Sequence, residues 1–306
     1  MARVFMKIIF CNLVFLFFVI SNVLAIDVAV VLSADYEPLL QVSMGFKSYL
    51  QEKGVPVKAV EYNLKRNDVS IVMNQINSLH SDIVLAIGSK AADAAKASIT
   101  SIPVIFSMVV NPSQYTRPNS TGISMEIKED IKLKEIDRIF PGRTRLGIIY
   151  SSTSAKEFDQ IYSAASSMGF KVVGRKIDSA QNLLSAVKDI SGLIDLFIMV
   201  VDNDIYNPLT VKGLFMESFK YNFPIVGLSS FFTKAGAVIS FECNYQDVGR
   251  QAGEIAYDII NGKKPGSIKP SYPRTITYSI NQMTAKKCGI DILPGILNKA
   301  TSVFGK

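Results

Sequence analysis

The chain has 306 residues, with 33 Lys and Arg against 26 Asp and Glu, a formal charge of +7, and 48% hydrophobic residues. That length is enough for two domains of ordinary size. A single histidine and no His/Cys/Asp group at ligand spacing leave no metal centre to propose. The lysines are scattered, which reads as a solvated basic surface and argues against nucleic acid as a partner.

The N-terminus has the pattern of a leader. Arg3 and Lys7 precede an apolar run over 8–20, and Val23-Leu24-Ala25 follows with small residues at the positions a signal peptidase reads. The run is short of the roughly 20 residues a membrane span needs. A signal peptide over 1–25, cleaved after Ala25, is expected; the alternative is an uncleaved anchor. Processing would leave residues 26–306, with Cys243 and Cys288. An oxidising compartment permits a disulfide between them. Their spacing does not show that they meet, and separate buried thiols are the expectation.

Residues 28–32 are a continuous apolar run of strand length. Leu39, Val42, Phe46, Tyr49 and Leu50 recur at helical spacing, and Gly54 closes that helix. A second strand at 55–60 leads to a helix capped by Asp68 or Ser70, with Val72, Ile76 and Leu79 on one face. The apolar strand at 82–87 opens onto Gly88-Ser89 and an alanine-rich helix, and 103–106 gives the next strand.

The same order then recurs. A strand at 145–150 meets Ser154-x-x-Glu157, which reads as a capping box. Phe158, Ile161, Tyr162 and Ala165 mark the helix face, and Gly169 its end. A strand at 171–173, a helix on Leu183, Leu184 and Val187, and an apolar strand from Asp195 to Asp202-Asn203 complete the copy, with 223–229 after it. Gly54 to Asp82 is 28 positions, and Gly169 to Asp195 is 26, which supports duplication over chance.

Alternating helices and unbroken apolar strands imply parallel sheets covered on both faces. The expected architecture is α/β, two doubly wound lobes joined by a three-strand hinge. Crossovers are expected near 108–124, 240–244 and 269–279. Lobe 1 would comprise 26–120 plus 243–270, and lobe 2 would comprise 121–242 plus 271–306. A helix over 246–260, capped by Asn244 and stopped by Gly262, would return to the first lobe.

Ligands of open parallel sheets sit beyond the carboxyl ends of the strands. That rule selects Ser33, Tyr36, Gly88, Ser89 and Asn111 in the first lobe, and Tyr150, Asp202, Asn203 and Ser229 in the second. Gly88 lets the backbone approach a ligand closely. The helix start at Ser89 favours an anion such as a carboxylate. Asp202 ends an apolar strand, where a carboxylate is costly unless paired, and a ligand ammonium would pair it. Its alternative role is to cap the helix beginning near Tyr206. Carboxylate capture by one lobe and ammonium capture by the other describe an α-amino acid, with Tyr36, Tyr150, Phe231 and Phe232 as apolar walls. No nucleophile elbow or phosphate loop appears, so an enzyme and a cofactor are not expected.

These residues also carry a family resemblance. The chain resembles the ABC-transporter substrate-binding proteins of the type I periplasmic-binding fold, in the branch that includes tryptophan- and tyrosine-binding members. The matching segments are Gly45-Phe46-Lys47, residues 82–95, 102–112, 119–122, 133–150, 195–203, 236–237, 245–265 and 280–292. The resemblance implies a monomeric periplasmic clamshell that closes on a small molecule and hands it to ABC permease subunits. It places Gly88, Ser89, Asp202 and Asn203 at the ligand. The chain departs from the family at Asn111, where aspartate is common, at Ser89, where threonine is frequent, at Lys90, and over 33–40. A ligand-sensing receptor for a membrane kinase or chemoreceptor is the alternative. Sugar-responsive repressors share the clamshell, but the leader and the lack of DNA-binding helices ahead of the first lobe argue against one.

Overall fold

In the computed structural model, which describes residues 25–305, the first half of the chain builds one sheet and the second half another. The leader expected over 1–25 lies outside the described residues except for Ala25. Strands β1 (Ile26–Leu32), β3 (Ile83–Ile87) and β4 (Val104–Val109) are apolar and buried over most of their length, because helices cover both faces of a parallel sheet. With β2 (Val57–Asn63) and β5 (Ser120–Ser124) they form an all-parallel sheet in the order β2-β1-β3-β4-β5. Helices α1 (Glu37–Glu52) and α9 (Tyr245–Ile260) cover one face, and α2 (Val69–Ser78) and α3 (Ser89–Ser98) the other.

The second sheet has the order β12-β11-β10-β9-β8-β6-β7. Its parallel set is β6 (Arg145–Tyr150), β7 (Lys171–Lys176), β8 (Leu196–Ile198), β9 (Ile225–Gly227) and β10 (Ile239–Cys243). Helix α4 (Glu129–Ile139) packs on α5 (Ala155–Ser167), and α6 (Leu183–Ser191) packs on α7 (Pro208–Tyr221). Right-handed crossovers put these two pairs on opposite faces. The short helix α8 (Ser230–Ala235) lies against β10 and β11 (Ile276–Asn281). Helix α10 (Gln282–Lys287), helix α11 (Pro294–Leu297) and strand β12 (Ser302–Phe304) complete the second lobe.

Two details differ from the expectation. The second sheet is not purely parallel: β11 runs antiparallel to β10. Both strands meet the hinge at the same end, so the chain leaves along β10 and returns in the opposite direction. The second detail is β5. Residues 120–124 stay in the first sheet, in register with β4, and the first crossover begins after Ser124 and not after 120. A Cβ at Gly122 would fall 1.9 Å from the carbonyl oxygen of Phe106, so this position of the strand must be glycine. Its Thr121 hydroxyl, fully buried, donates to the Ile268 carbonyl at 2.7 Å.

The hinge is laced by backbone. Ser124 N–H donates to the Ser271 carbonyl at 2.9 Å, Ser271 N–H to the Gly122 carbonyl at 3.0 Å, and Asn244 N–H to the Thr275 carbonyl at 3.0 Å. Gln251 of α9 bonds the backbone at both Tyr272 and Arg274, and Arg274 pairs with Asp247 and Glu254 on the same helix. The third crossing is thus fastened to the first lobe as far as Arg274.

Helices α1 and α9 touch backbone to backbone. A Cβ at Gly45 would lie 2.0 Å from the Gln246 carbonyl oxygen, and one at Gly249 would lie 2.1 Å from that of Val42. Only glycine permits this approach. The N-cap expected for α9 is present, with the Asn244 side chain accepting from Asp247 N–H at 3.0 Å. Cys243 is buried in the first lobe's core and Cys288 in the second's, and both thiols are free.

Candidate functional site

Strand β5 enters the hinge from its carboxyl end, and so does β10. The carboxyl ends of both parallel sets therefore face the hinge level and each other. Neighbouring strands bring the first-lobe candidates together: Ser33 follows β1, Gly88 and Ser89 follow β3, and Asn111 follows β4. In the second lobe Tyr150 ends β6, Asp202 and Asn203 follow β8, and Ser229 follows β9, again on adjacent strands.

The first-lobe end is built around Gly88. Its φ of +89° is a left-handed conformation that favours glycine, and a Cβ there would fall 2.6 Å from Ser33 Oγ. Gly88 is the N-cap of α3, so Ser89 is the first helical residue and not the cap. Ser33 Oγ accepts from Ala91 N–H at 2.9 Å, and the Gly88 carbonyl accepts from Ala92 N–H at 3.0 Å. The first amides of a helix lack intrahelical acceptors. Those of Ser89 and Lys90 remain, beside an exposed Ser89 side chain.

The chain is irregular where β4 ends. Met108 and Asn111 both have positive φ, at 57° and 54°, and the register with β5 shifts between Ser107 and Val109. Asn111 N–H donates to Glu126 at 3.0 Å, which ties this tip to the hinge, and its Oδ1 accepts from the Ser113 hydroxyl. The Ser107 hydroxyl is fully buried with no hydrogen-bond partner. Tyr36 stands 56% exposed at the start of α1.

In the second lobe the structure gives Asp202 partners that sequence reasoning missed. Its carboxylate is buried and accepts from Ser151 N–H at 3.1 Å, Ser154 Oγ at 2.5 Å and Asp204 N–H at 3.0 Å. Burial alone would raise its pKa; these donors outweigh it and hold the carboxyl below its ordinary value. Asp202 does not cap α7, whose N-cap is Asn207 in a capping box with Thr210. The capping box expected at Ser154 and Glu157 is absent. Ser154 turns to Asp202, and Glu157 accepts from Val201 N–H at 2.9 Å, so both hold the end of β8 in place of their own helix. The S-x-x-E spacing was visible, but nothing local shows that a neighbouring strand end outcompetes the helix's own amides.

Asn203 and Ser229 remain at the surface of this end, Asn203 exposed and Ser229 half-buried at the N-cap of α8. Tyr150 stacks on Phe158 with ring centroids 4.0 Å apart and an 8° interplanar angle. Glu129, the first residue of α4, is half-buried. Burial, with Glu157 and Asp130 nearby, raises its pKa despite an ion pair with Lys132 at 2.7 Å. This end of the second lobe is therefore acidic, while the first lobe offers open amides. Apolar side chains left exposed at the strand ends include Val110, Met125 and Val201, whereas Phe231 and Phe232, expected as walls of the cleft, line a groove between α7 and α8.

The model of the family described as ABC transporter substrate binding protein matches residues 25–304. The chain belongs to that family. A substrate-binding protein of this kind is what the paired lobes and the expected resemblance described. Among relatives, a tyrosine-binding protein of Clostridioides difficile (strain R20291) is 23% identical over 270 residues, covering 82% of this chain and 77% of that one. A ligand-free, open structure of a substrate-binding protein with adhesive properties from Clostridium difficile superposes with a TM-score of 0.77 at 20% identity, covering 92% of this chain and all of that one. An ABC domain from Streptococcus pneumonia in complex with L-Trp gives a TM-score of 0.58 at 21% identity, over 92% of this chain and all of the other. These likenesses establish the fold, two α/β lobes of the periplasmic-binding type.

Proposed function

We propose that this substrate-binding protein is an exported, monomeric receptor that captures an α-amino acid with an aromatic side chain between its lobes and delivers it to ABC permease subunits. The observation that carries this reading is the α3 start: open amides at Ser89 and Lys90, with Gly88 held at φ +89° so that the backbone approaches the cleft. A carboxylate fits there. Opposite it, Asn203 and Ser229 offer polar contacts within the negative field of Asp202, Asp204 and Glu157, which suits an ammonium. In this reading Ser33 and Asp202 shape the two ends, Asn111 couples the first end to the hinge, and Tyr36 and Tyr150 supply walls. Two relatives, one named a tyrosine-binding protein and one holding L-Trp, support an aromatic side chain, as do the apolar residues exposed at the strand ends.

Closure follows from the hinge. A ligand that touches both lobes makes its second set of contacts only when they approach, and it favours the closed state by that difference. The periplasm is the proposed compartment, with residues 1–25 as its leader. A thermal-shift and calorimetric screen tests the ligand class, because a ligand that binds only the native state raises the melting temperature by mass action. L-Tyr, L-Trp or L-Phe should raise it. A shift with sugars or nucleosides and none with any amino acid would sink the assignment.

A further inference from the structure

Outside the cleft but bordering its rim, one face of the second lobe combines exposed apolar side chains with lysines. Helix α7 presents Leu209, Lys212, Met216 and Lys220 on one stripe, at intervals of three and four residues. Leu209 is 82% exposed and Met216 63%. Beside this stripe, an apolar groove of about 520 Å³ runs between α7 and α8, with Phe215 and Phe219 on one wall and Phe231 and Phe232 on the other. Phe231 is 72% exposed. Helix α10 extends the face, because Lys287 Nζ stands 5.3 Å over the Phe219 ring, and Met283 is half-exposed beside Lys286.

The charge on this face has one sign. Helices α7, α8 and α10 carry Lys212, Lys220, Lys234, Lys286 and Lys287 against a single carboxylate, Glu217. Glu217 is mostly buried, 4.0 Å from Lys220. Bulky apolar groups ringed by lysines are what an anionic bilayer surface binds: the ammonium groups meet phosphates while Leu, Met and Phe enter the acyl boundary. Long lysine side chains reach the headgroups and leave their stems on the apolar surface.

We infer that the α7–α8–α10 face of the second lobe docks on an anionic lipid bilayer. Phe231 lies two residues beyond Ser229, so the docked face adjoins the cleft rim, and a docked protein holds its cleft beside the membrane. No described helix is long and apolar enough to cross a membrane, so the contact is peripheral.

The test is co-sedimentation of the processed form proposed above, residues 26–306, with vesicles of phosphatidylglycerol mixed into phosphatidylcholine. Pure phosphatidylcholine vesicles serve as the neutral arm. The protein should partition to the anionic vesicles, less so at high salt, and not to the neutral ones. Lys212→Glu with Lys287→Glu should weaken partition by at least ~10-fold, since each lysine near such a surface contributes about five-fold. Phe231→Ser should weaken it without changing its salt dependence. Lys263→Glu with Lys264→Glu, on a loop of the first lobe, should leave it intact, and melting curves establish that each variant is folded. Equal binding to neutral vesicles, no binding to anionic ones, or partition indifferent to the Lys212 and Lys287 changes would overturn the inference. So would binding that appears only when a membrane protein is reconstituted in the vesicles, which would assign the face to a protein partner.

Discussion

Asp202→Asn separates an anchor from a ligand contact. The carboxylate holds three donors in a site where the residue is 2% exposed. Asparagine retains one oxygen, which can keep Asp204 N–H, and sets an NH₂ where Oδ2 accepted from Ser151 N–H and Ser154 Oγ. The Ser154 hydroxyl can turn to accept from that NH₂, and its oxygen already accepts from Ser151 N–H at 3.2 Å. The charge-assisted bonds to that oxygen are lost and the Ser151 amide keeps only the longer bond to Ser154 Oγ, together about 2 kcal/mol. Urea unfolding should show that loss at neutral pH. The native pKa of Asp202 is depressed, so its stabilisation is complete above the unfolded carboxyl's pKa and disappears as pH falls through the native value. The gap between wild type and variant should therefore be full above about pH 5 and shrink only as pH falls below the ordinary carboxyl range. A variant as stable as wild type at neutral pH, but with an amine ligand's affinity gone, would refute the anchor and put the carboxylate on the ligand.

Three further substitutions follow from the same geometry. Gly249→Ala drives a methyl against the Val42 carbonyl oxygen at 2.1 Å, and the helices must part. A loss of about 2–3 kcal/mol in denaturant unfolding is expected. Gly88→Ala meets both a left-handed φ and Ser33 Oγ at 2.6 Å, so the α3 start shifts. Calorimetry should show at least ~10-fold weaker amino-acid binding, about 1.4 kcal/mol, and unchanged affinity would remove Gly88 from the site. Ser107→Ala removes a buried hydroxyl that has no partner. It should raise unfolding free energy by about 1 kcal/mol, and a loss of stability would reveal an acceptor or donor the hydroxyl requires.

The fold was legible where burial is two-sided. Runs such as 28–32 and 82–87 have no polar alternation, and the structure turns them into β1 and β3 at the centre of the first sheet. Strand β5 was hidden because its sequence, Ser-Thr-Gly-Ile-Ser, looks like a turn. Its Gly122 is there for a reason invisible locally, the close approach of the Phe106 carbonyl. At the site, the strand-end rule brought the right positions together. It could not assign side-chain partners: Asp202, Ser154 and Glu157 satisfy one another's strand end across separations of 44 to 51 positions. Such pairings depend on tertiary placement, and local spacing carries no trace of them.

The contact between α1 and α9 also sets the order in which the molecule can be finished. Glu52 pairs with Arg250 across 198 positions, and the helix that covers Val42 and Phe46 comes after the whole parallel set of the second lobe. Closing so long a loop is slow compared with local pairing. A chain that emerges N-terminus first therefore has one face of its first sheet half-covered until residue 260 has appeared. During that interval the first lobe is an unfinished, threadable segment, and completion is a late and nearly simultaneous event for both lobes.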